Sequence, residues 1–159
     1  LPLDEGDLDI RPLFEEELVL LIPPSHHLAD RPPMQLSDLD GVPLLLPPRG
    51  SALRRVLERA AADADIGLIA MSEIDGVRLL AALALDGHGA AIVPAPGIAA
   101  EPDNTAIIAR PDGLPRRTVG LATRRRPRPS AATRVVIDAL EETINEMLNP
   151  ETGVHRLPQ

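Results

Sequence analysis

Between residues 42 and 93, short aliphatic runs alternate with stretches of helical periodicity, and this order constrains the fold more than any other feature of the sequence. Residues 42–46, 67–74 and 89–93 are short and apolar enough to be strands buried within a sheet. Two consecutive strand–helix–strand units with short loops predict three parallel strands joined by right-handed crossovers. The chain is therefore expected to be an α/β protein with a small parallel sheet.

Two helices are predicted between these strands. The first is expected to be capped by Ser51, and its apolar positions recur every three or four residues at Leu53, Val56, Leu57, Ala60, Ala61 and Ala64. The second is expected to be capped by Asp75-Gly76 and to end near Asp86, with Gly87 in the left-handed conformation common after helices. This second helix is apolar on nearly every side, so we expect it to be buried.

The remainder of the chain contains further predicted strands at residues 8–13, 17–22, 105–109 and 118–123. Ser37 is expected to cap a short turn that ends at Asp40, and Ser130 to cap the last helix. The apolar face of that helix carries Val136, Leu140, Ile144, Met147 and Leu148. Residues 151–159 have no periodic pattern and are expected to form a frayed tail.

The composition excludes several classes of function. With 159 residues the chain has the size of one domain, and its apolar runs are too short to span a membrane. Cys is absent, which excludes disulfides, thiolate metal sites and thiolate nucleophiles. Phe14 is the only aromatic residue, and the net charge of −8 opposes attraction to nucleic acid. We interpret the basic residues 124–128 as a solvated turn, and we expect a cytoplasmic protein.

Ligands of an open parallel sheet bind at the carboxyl ends of its strands, next to helix N-termini. This rule selects three segments as a candidate binding site, and from them we predict the binding residues Pro48, Arg49, Gly50, Ser51, Glu73, Ile74, Asp75 and Pro94. Free N–H groups at the helix start, close approach at Gly50 and the planar fork of Arg49 favour an anion. Arg49 could instead be solvated or paired with Glu73, and Asp75 is more simply explained as a helix cap.

Catalytic, metal and cofactor sites find no support. The sequence around Ser51 lacks the outer glycines of a hydrolase nucleophile elbow, and His88 is expected to lie far from it. His26 and His27 are adjacent and cannot both face one metal from a regular element, and His155 falls in the expected tail. A dinucleotide fingerprint is also absent, because Gly87-His-Gly89 precedes a strand and not a helix. We therefore expect no enzyme activity, no metal and no cofactor.

Several segments together resemble the effector-binding domain of LysR-type transcriptional regulators. They are LDIRPLFEEELVLLIPPSHHLA (8–29), LSDL (36–39), PLLLPPRGS (43–51), EIDGVRLLA (73–81) and GHGAAIVP (87–94). The order and spacing of these segments make the resemblance specific, and it covers about residues 8–147. The sequence departs from the pattern at His27, where the family usually has proline.

The resemblance implies a fold like that of type II periplasmic binding proteins, with two α/β subdomains, a hinge of two crossing strands and a small molecule in the cleft. Residues 1–26 would end subdomain I and supply the first hinge strand, and residues 27–115 would form a complete subdomain II with the small parallel sheet. Residues 116–148 would supply the second hinge strand and a helix that returns to subdomain I, and residues 149–159 a tail.

The resemblance also implies that a winged helix-turn-helix and the opening strands of subdomain I precede Leu1. DNA would then be contacted only through that absent domain, by a homodimer or homotetramer that binds no membrane. The alternative function is a solute-binding protein of a transporter, for which an upstream signal peptide would be expected. An enzyme on the same fold is a more distant alternative.

Overall fold

The computed structural model describes residues 7–98 and 106–157. Its helices and longer strands follow the predicted order. They are β1 (Leu8–Ile22), β2 (Pro43–Leu46), α1 (Ala52–Asp63), β3 (Ile69–Glu73), α2 (Val77–Leu85), β4 (Ala91–Pro94), β5 (Ile107–Ala109), β6 (Arg116–Arg124), α3 (Ala131–Met147) and β7 (Val154–His155). Short 3-10 turns lie at Leu36–Leu39, Ala95–Gly97 and Pro150–Thr152. No helix among these described residues is both long and apolar enough to span a bilayer.

The sheet has the strand order β3-β2-β4-β1-β5. Strand β2 runs parallel to both β3 and β4, which confirms the three predicted parallel strands. Strand β1 runs antiparallel to β4 and to β5, so the sheet as a whole is mixed.

Strand β1 is a single strand of 15 residues, and the prediction of two separate strands at 8–13 and 17–22 is wrong. Its first half pairs with β6 and its second half with β4 and β5. The ladder with β6 shifts register between Pro12 and Phe14. A bulge at this point accommodates a residue that has no N–H group, and the strand continues through it. The strand thereby joins two sheet regions without a break.

The core has two layers because α1 and α2 cover opposite faces of this sheet. On one side, residues of β1, β2 and β4 pack with α1, and the buried members include Leu18, Leu20, Ile22, Leu44, Leu46, Leu53, Leu57 and Ile92. On the other side the alternate strand residues pack with α2 through Val19, Leu21, Leu45, Leu80, Ala81, Ala84, Ala91 and Val93. Helix α2 is buried on this face alone. Leu79 is 54% exposed, so the prediction of a helix buried all round is wrong.

The capping predictions have mixed outcomes. The side chains of Ser51 and Ser130 accept hydrogen bonds from Arg54 N and Thr133 N, which confirms both caps. Asp75 is not a cap, because Gly76 occupies the N-cap position of α2 and no side chain bonds there. Ser37 is not a cap either: Gln35 precedes the turn, and the Asp38 carboxylate accepts the Gln35 N–H at 3.0 Å.

Residues 149–155 are ordered against β1, so the prediction that this part of the chain is a frayed tail is wrong. The Asn149 side chain accepts the Glu151 N–H and begins a 3-10 turn, and Gly153 ends it at φ +77°. Strand β7 then pairs with Glu15 and Glu16 of β1, and Val154 is only 7% exposed. The segment has too few apolar residues to show a periodic pattern, yet one buried valine and strand pairing fix its position.

Helix α3 leaves most of its apolar face in solvent. Val136 is 67% exposed, Leu140 41% and Met147 63%. Arg11 of β1 forms an ion pair with Glu141 of this helix, beside the half-buried Ile144. Within residues 7–98 and 106–157, therefore, this helix is held from one side only.

Candidate functional site

The three parallel strands end at one side of the sheet, where each leads into a helix or a 3-10 turn. We call this region, comprising residues 47–51, 73–76 and 94–97, the carboxyl edge. Its first two segments are tied by the backbone, because the Ile74 N–H donates to the Leu46 carbonyl at 2.9 Å. Pro94 is buried as the last residue of β4 and pairs with Leu18.

The start of α1 is shaped for close approach by a ligand. Gly50 has a φ of +81°, and a β-carbon built at this position meets no atom within 4 Å. The Ser51 hydroxyl accepts the Arg54 N–H at 3.2 Å. The remaining N–H groups of the first helical turn lack partners within the helix and carry the positive end of its dipole. A helix start of this kind is chemically suited to an anion.

Replacing Ser51 by alanine is expected to lower the free energy of unfolding by about 1 kcal/mol, because the Arg54 N–H loses its acceptor. Urea unfolding of the two proteins measures the difference. Ser37→Ala is the matched control, since Ser37 caps nothing, and it is expected to unfold as the wild type does. Equal midpoints for Ser51→Ala and the wild type would contradict the capping role.

Arg49 and Glu73 are in contact, which is one of the alternatives that the sequence left open. Arg49 Nε lies 3.5 Å from Glu73 Oε1, and the Arg49 N–H donates to Glu73 Oε2 at 3.2 Å. The Arg49 side chain is 78% exposed. An ion pair so open to water contributes at most about 1 kcal/mol, so an incoming anion can displace it. Asp75 is exposed and Ile74 half-buried beside this pair.

Arg54 belongs to the same region, and sequence reasoning missed it. Its side chain is 2% exposed. The guanidinium donates from Nη1 to the Pro47 carbonyl at 3.1 Å and from Nε to Glu58 at 2.9 Å. The sequence does contain a signal, because Arg54 stands three residues before Leu57 and seven before Ala61, on the buried face of α1.

A second polar cluster, also missed, surrounds Glu17 of β1. Its carboxylate lies 3.3 Å from Arg110 Nε, 3.4 Å from Arg116 Nη2 and 2.8 Å from His155 Nε2. Burial favours the neutral carboxyl, but the hydrogen bond and charge of His155 and the charge of Arg110 outweigh it, so the pKa of Glu17 lies below its ordinary value. His155 is 15% exposed, so the prediction of a histidine in a free tail is wrong.

Two cavities lie away from the carboxyl edge. A cavity of about 810 Å³ lies along residues 28–38, and a smaller one of about 230 Å³ lies beside Glu17. No residue that lines either cavity belongs to the carboxyl edge. Across the described ranges, no group of three or more His, Cys, Asp or Glu side chains is arranged to hold a metal ion.

Comparison with known proteins gives consistent matches. The LysR substrate binding domain family matches residues 1–145. A curated relative, the HTH-type transcriptional regulator BbuR of Bordetella bronchiseptica, is 33% identical over 98 residues, which are 62% of this chain and 30% of the relative. The chain thus spans less than a third of that protein.

Two solved structures share the fold. The effector binding domain of QuiR in complex with shikimate has a TM-score of 0.76 at 20% identity, over 88% of this chain and 66% of that one. The Synechocystis PCC6803 CcmR regulatory domain in complex with 2-PG has a TM-score of 0.77 at 19% identity, over 90% of this chain and 70% of that one.

Proposed function

Since the chain belongs to the LysR substrate binding domain family, we propose that it binds a small anionic effector at the carboxyl edge and so controls a transcriptional regulator. Its fold is the α/β, periplasmic-binding-protein-like fold of that family's effector-binding domains. The observation that carries the proposal is the start of α1. There Gly50 permits close approach, N–H groups of the first helical turn are free, and the side chain of Arg49 is held by an exposed ion pair.

We propose that Pro48, Gly50 and Ser51 contact the effector through backbone and hydroxyl groups, and that Arg49 supplies a charge-assisted pair. Ile74 and Pro94 would form the apolar part of the wall. Glu73 and Asp75 would act through their negative charge. Each carboxylate would repel an anionic effector, and the positive charge of Arg49 would offset that repulsion. The opposite wall of the cleft would come from loops outside this chain.

In the proposed division, residues 1–26 end subdomain I and supply the first hinge strand, residues 27–115 form subdomain II, and residues 116–148 return to subdomain I. The unbroken strand β1 supports this division, because it passes from pairing with β6 to pairing with β4 and β5. The tail, residues 149–159, would pack against β1 where it passes from one subdomain to the other. Closure of the cleft on effector would shift the population of subdomain orientations.

The whole regulator is proposed to be a cytoplasmic homodimer or homotetramer, with no enzymatic activity, whose winged helix-turn-helix lies outside these residues. The curated relative is a transcriptional regulator, which does not favour a solute-binding protein of a transporter. The upstream reading frame separates the two functions. A helix-turn-helix there supports the regulator, and a signal peptide supports the transporter.

The chain by itself is expected to leave duplex DNA unprotected. Its net charge of −8 opposes phosphate contacts. Of its basic residues 124–128, Arg124 ends β6 and the others lie in the turn before α3. Footprinting on a promoter that the full-length regulator protects measures this. Sequence-specific protection by the 159 residues alone would overturn the assignment of DNA binding to another domain.

Replacing Arg49 by alanine is expected to weaken binding of an anionic effector by about tenfold to a hundredfold, because a hydrogen bond to a charged group contributes about 1.5–3 kcal/mol. Calorimetric titration of the effector domain measures the change, with shikimate and a panel of small carboxylates as the first ligands tested. Glu73→Gln removes a negative charge next to the site but keeps an oxygen that can accept the Arg49 backbone N–H, so it is expected to change the affinity less than Arg49→Ala does.

Arg59→Ala is the matched control for Arg49→Ala. It removes the same charge from an exposed position on α1, and it is expected to leave the affinity unchanged. Normal binding by a folded Arg49→Ala protein would refute the anion site. A neutral or apolar ligand, held through Ile74, Pro94 and the hinge, would then be the better interpretation.

A further inference from the structure

We propose that Arg54 is a positioning residue that holds two segments of the carboxyl edge, residues 47–51 and Glu73, at a fixed separation. The inference concerns the preorganisation of the site and rests on the proposed function. The Arg54 side chain is charged and yet only 2% exposed, which is unusual for an arginine.

A buried guanidinium is costly unless its donors are paired, and a leucine would fill the same stripe of α1 without that cost. An arginine, unlike a leucine, can contact two polar groups on different segments at once. Its Nη1 lies 3.1 Å from the Pro47 carbonyl, just after β2, and 3.7 Å from Glu73 Oε1, at the end of β3. Its Nε binds Glu58 one turn further along the helix, at 2.9 Å, which fixes the plane of the guanidinium.

Glu73 in turn contacts Arg49 and fixes the position of its backbone. The same carboxylate that faces Arg54 accepts the Arg49 N–H at 3.2 Å and lies 3.5 Å from Arg49 Nε. The contacts therefore run from the buried face of α1, through Glu73, to the backbone of the residue that is proposed to bind the effector. Without Arg54, Glu73 is held only by an exposed partner, and the backbone of Arg49 loses its fixed acceptor.

A binding site whose groups are already in place loses less conformational entropy when the ligand arrives. We therefore expect Arg54 to affect affinity without touching the effector. Lysine at this position keeps the charge but has a single ammonium, which cannot reach the Pro47 carbonyl, Glu58 and Glu73 together. Methionine keeps much of the length and apolar contact and removes every donor.

The test uses the 159-residue chain with the variants Arg54→Met, Arg54→Lys and Leu57→Ala. Leu57 is buried on the same face of α1, so Leu57→Ala is a control for general destabilisation of the helix. Amide hydrogen exchange at Arg49 and Ile74 is measured by NMR, beside urea unfolding of each protein. A second arm titrates sodium acetate at constant ionic strength and follows the Gly50 and Ser51 amides.

Arg54→Met is expected to speed exchange of the Arg49 amide about tenfold more than its change in global stability explains, with Arg54→Lys in between. Leu57→Ala is expected to change exchange only in proportion to global stability. Acetate affinity should fall about tenfold in Arg54→Met and much less in Leu57→Ala.

If exchange of the Arg49 amide hydrogen in Arg54→Met changes only in proportion to global stability, as in Leu57→Ala, the positioning role is overturned. The exchange arm does not depend on any ligand, so it separates this inference from the proposed function. If acetate fails to shift the wild-type amides, the anion site is refuted, and the exchange result still decides the role of Arg54.

Discussion

Replacing Arg117 by methionine is expected to lower the free energy of unfolding by about 3 kcal/mol at pH 7, because it leaves a buried carboxylate without its partner. Arg117 of β6 forms an ion pair with Glu16 of β1, and the Glu16 side chain is only 9% exposed. Urea unfolding measures the loss. The neighbouring Arg116→Met is the matched control: its side chain is 49% exposed, so it is expected to cost less than about 1 kcal/mol.

The cost of Arg117→Met should depend on pH in a defined direction. Burial raises the pKa of Glu16, against the opposing charge and hydrogen bond of Arg117. A carboxyl whose pKa is raised by folding adds stability below its ordinary pKa and loses that contribution as the pH rises through the raised value. Without Arg117 the pKa of Glu16 rises further. The destabilisation should therefore be largest at neutral pH and shrink as the pH is lowered through the pKa of Glu16.

The double variant Glu16→Leu with Arg117→Met should recover most of the lost stability at pH 7, since an apolar pair leaves no buried charge. If the single and double variants unfold at the same urea concentration, the loss of stability in Arg117→Met does not come from an unpaired, buried Glu16 carboxylate.

Ending the chain after Leu148 is expected to lower the free energy of unfolding by about 3 kcal/mol, the combined contribution of one buried valine and several hydrogen bonds. The deleted segment contains Val154, which is 7% exposed, and His155, which binds Glu17. It also contains the Gly153 carbonyl, which accepts the Glu17 N–H at 2.8 Å. Urea unfolding of the two chain lengths measures the change.

A point variant tests the same packing without shortening the chain. Gly153 has a φ of +77°, and a β-carbon there would stand 2.7 Å from the β-carbon of Ala95. Gly153→Ala is therefore expected to destabilise the protein, whereas Gly113→Ala, at a similar φ of +88° but with 3.4 Å to its nearest neighbour, should cost less. Unchanged stability on deletion of the segment would show that it is a free tail.

The fold could be predicted largely from local patterns. The three parallel strands follow from short aliphatic runs, and α1 follows from a periodic stripe with Ser51 at its start. These signals are short-range, since strand burial and helix capping depend on residues only a few positions apart. The division of β1 into two strands was wrong because residues 14–16, between the two predicted strands, also pair with β6 and continue the strand.

The polar contacts could not be predicted, because their partners are distant along the chain. Glu17 meets Arg110, Arg116 and His155 across separations of 93, 99 and 138 residues. Nothing local distinguishes it from the adjacent Glu16, which is buried against Arg117 instead. For the same reason the order of the C-terminal segment was missed, since it depends on where β1 lies.

The candidate site stays a prediction, both in its position at the carboxyl edge and in its preference for an anion. The polarity of parallel strands located the carboxyl edge, but whether Arg49 would be solvated or paired with Glu73 depends on the register of β3 against β2. Arg54 was overlooked because an arginine on an amphipathic helix is ordinarily placed on its solvated face. Its position relative to Leu57 and Ala61 is the signal that identifies it as buried.

Binding of a small anion at the carboxyl edge can be tested by mapping amide chemical shifts while small carboxylates, shikimate among them, are titrated into the effector domain. We expect saturable shifts at Gly50, Ser51 and Gly76, at the starts of α1 and α2, and in Arg49→Ala we expect saturation to need about tenfold to a hundredfold more ligand. Saturable shifts confined to the cavity along residues 28–38 or to the surroundings of Glu17, or saturation by neutral molecules alone, would contradict it.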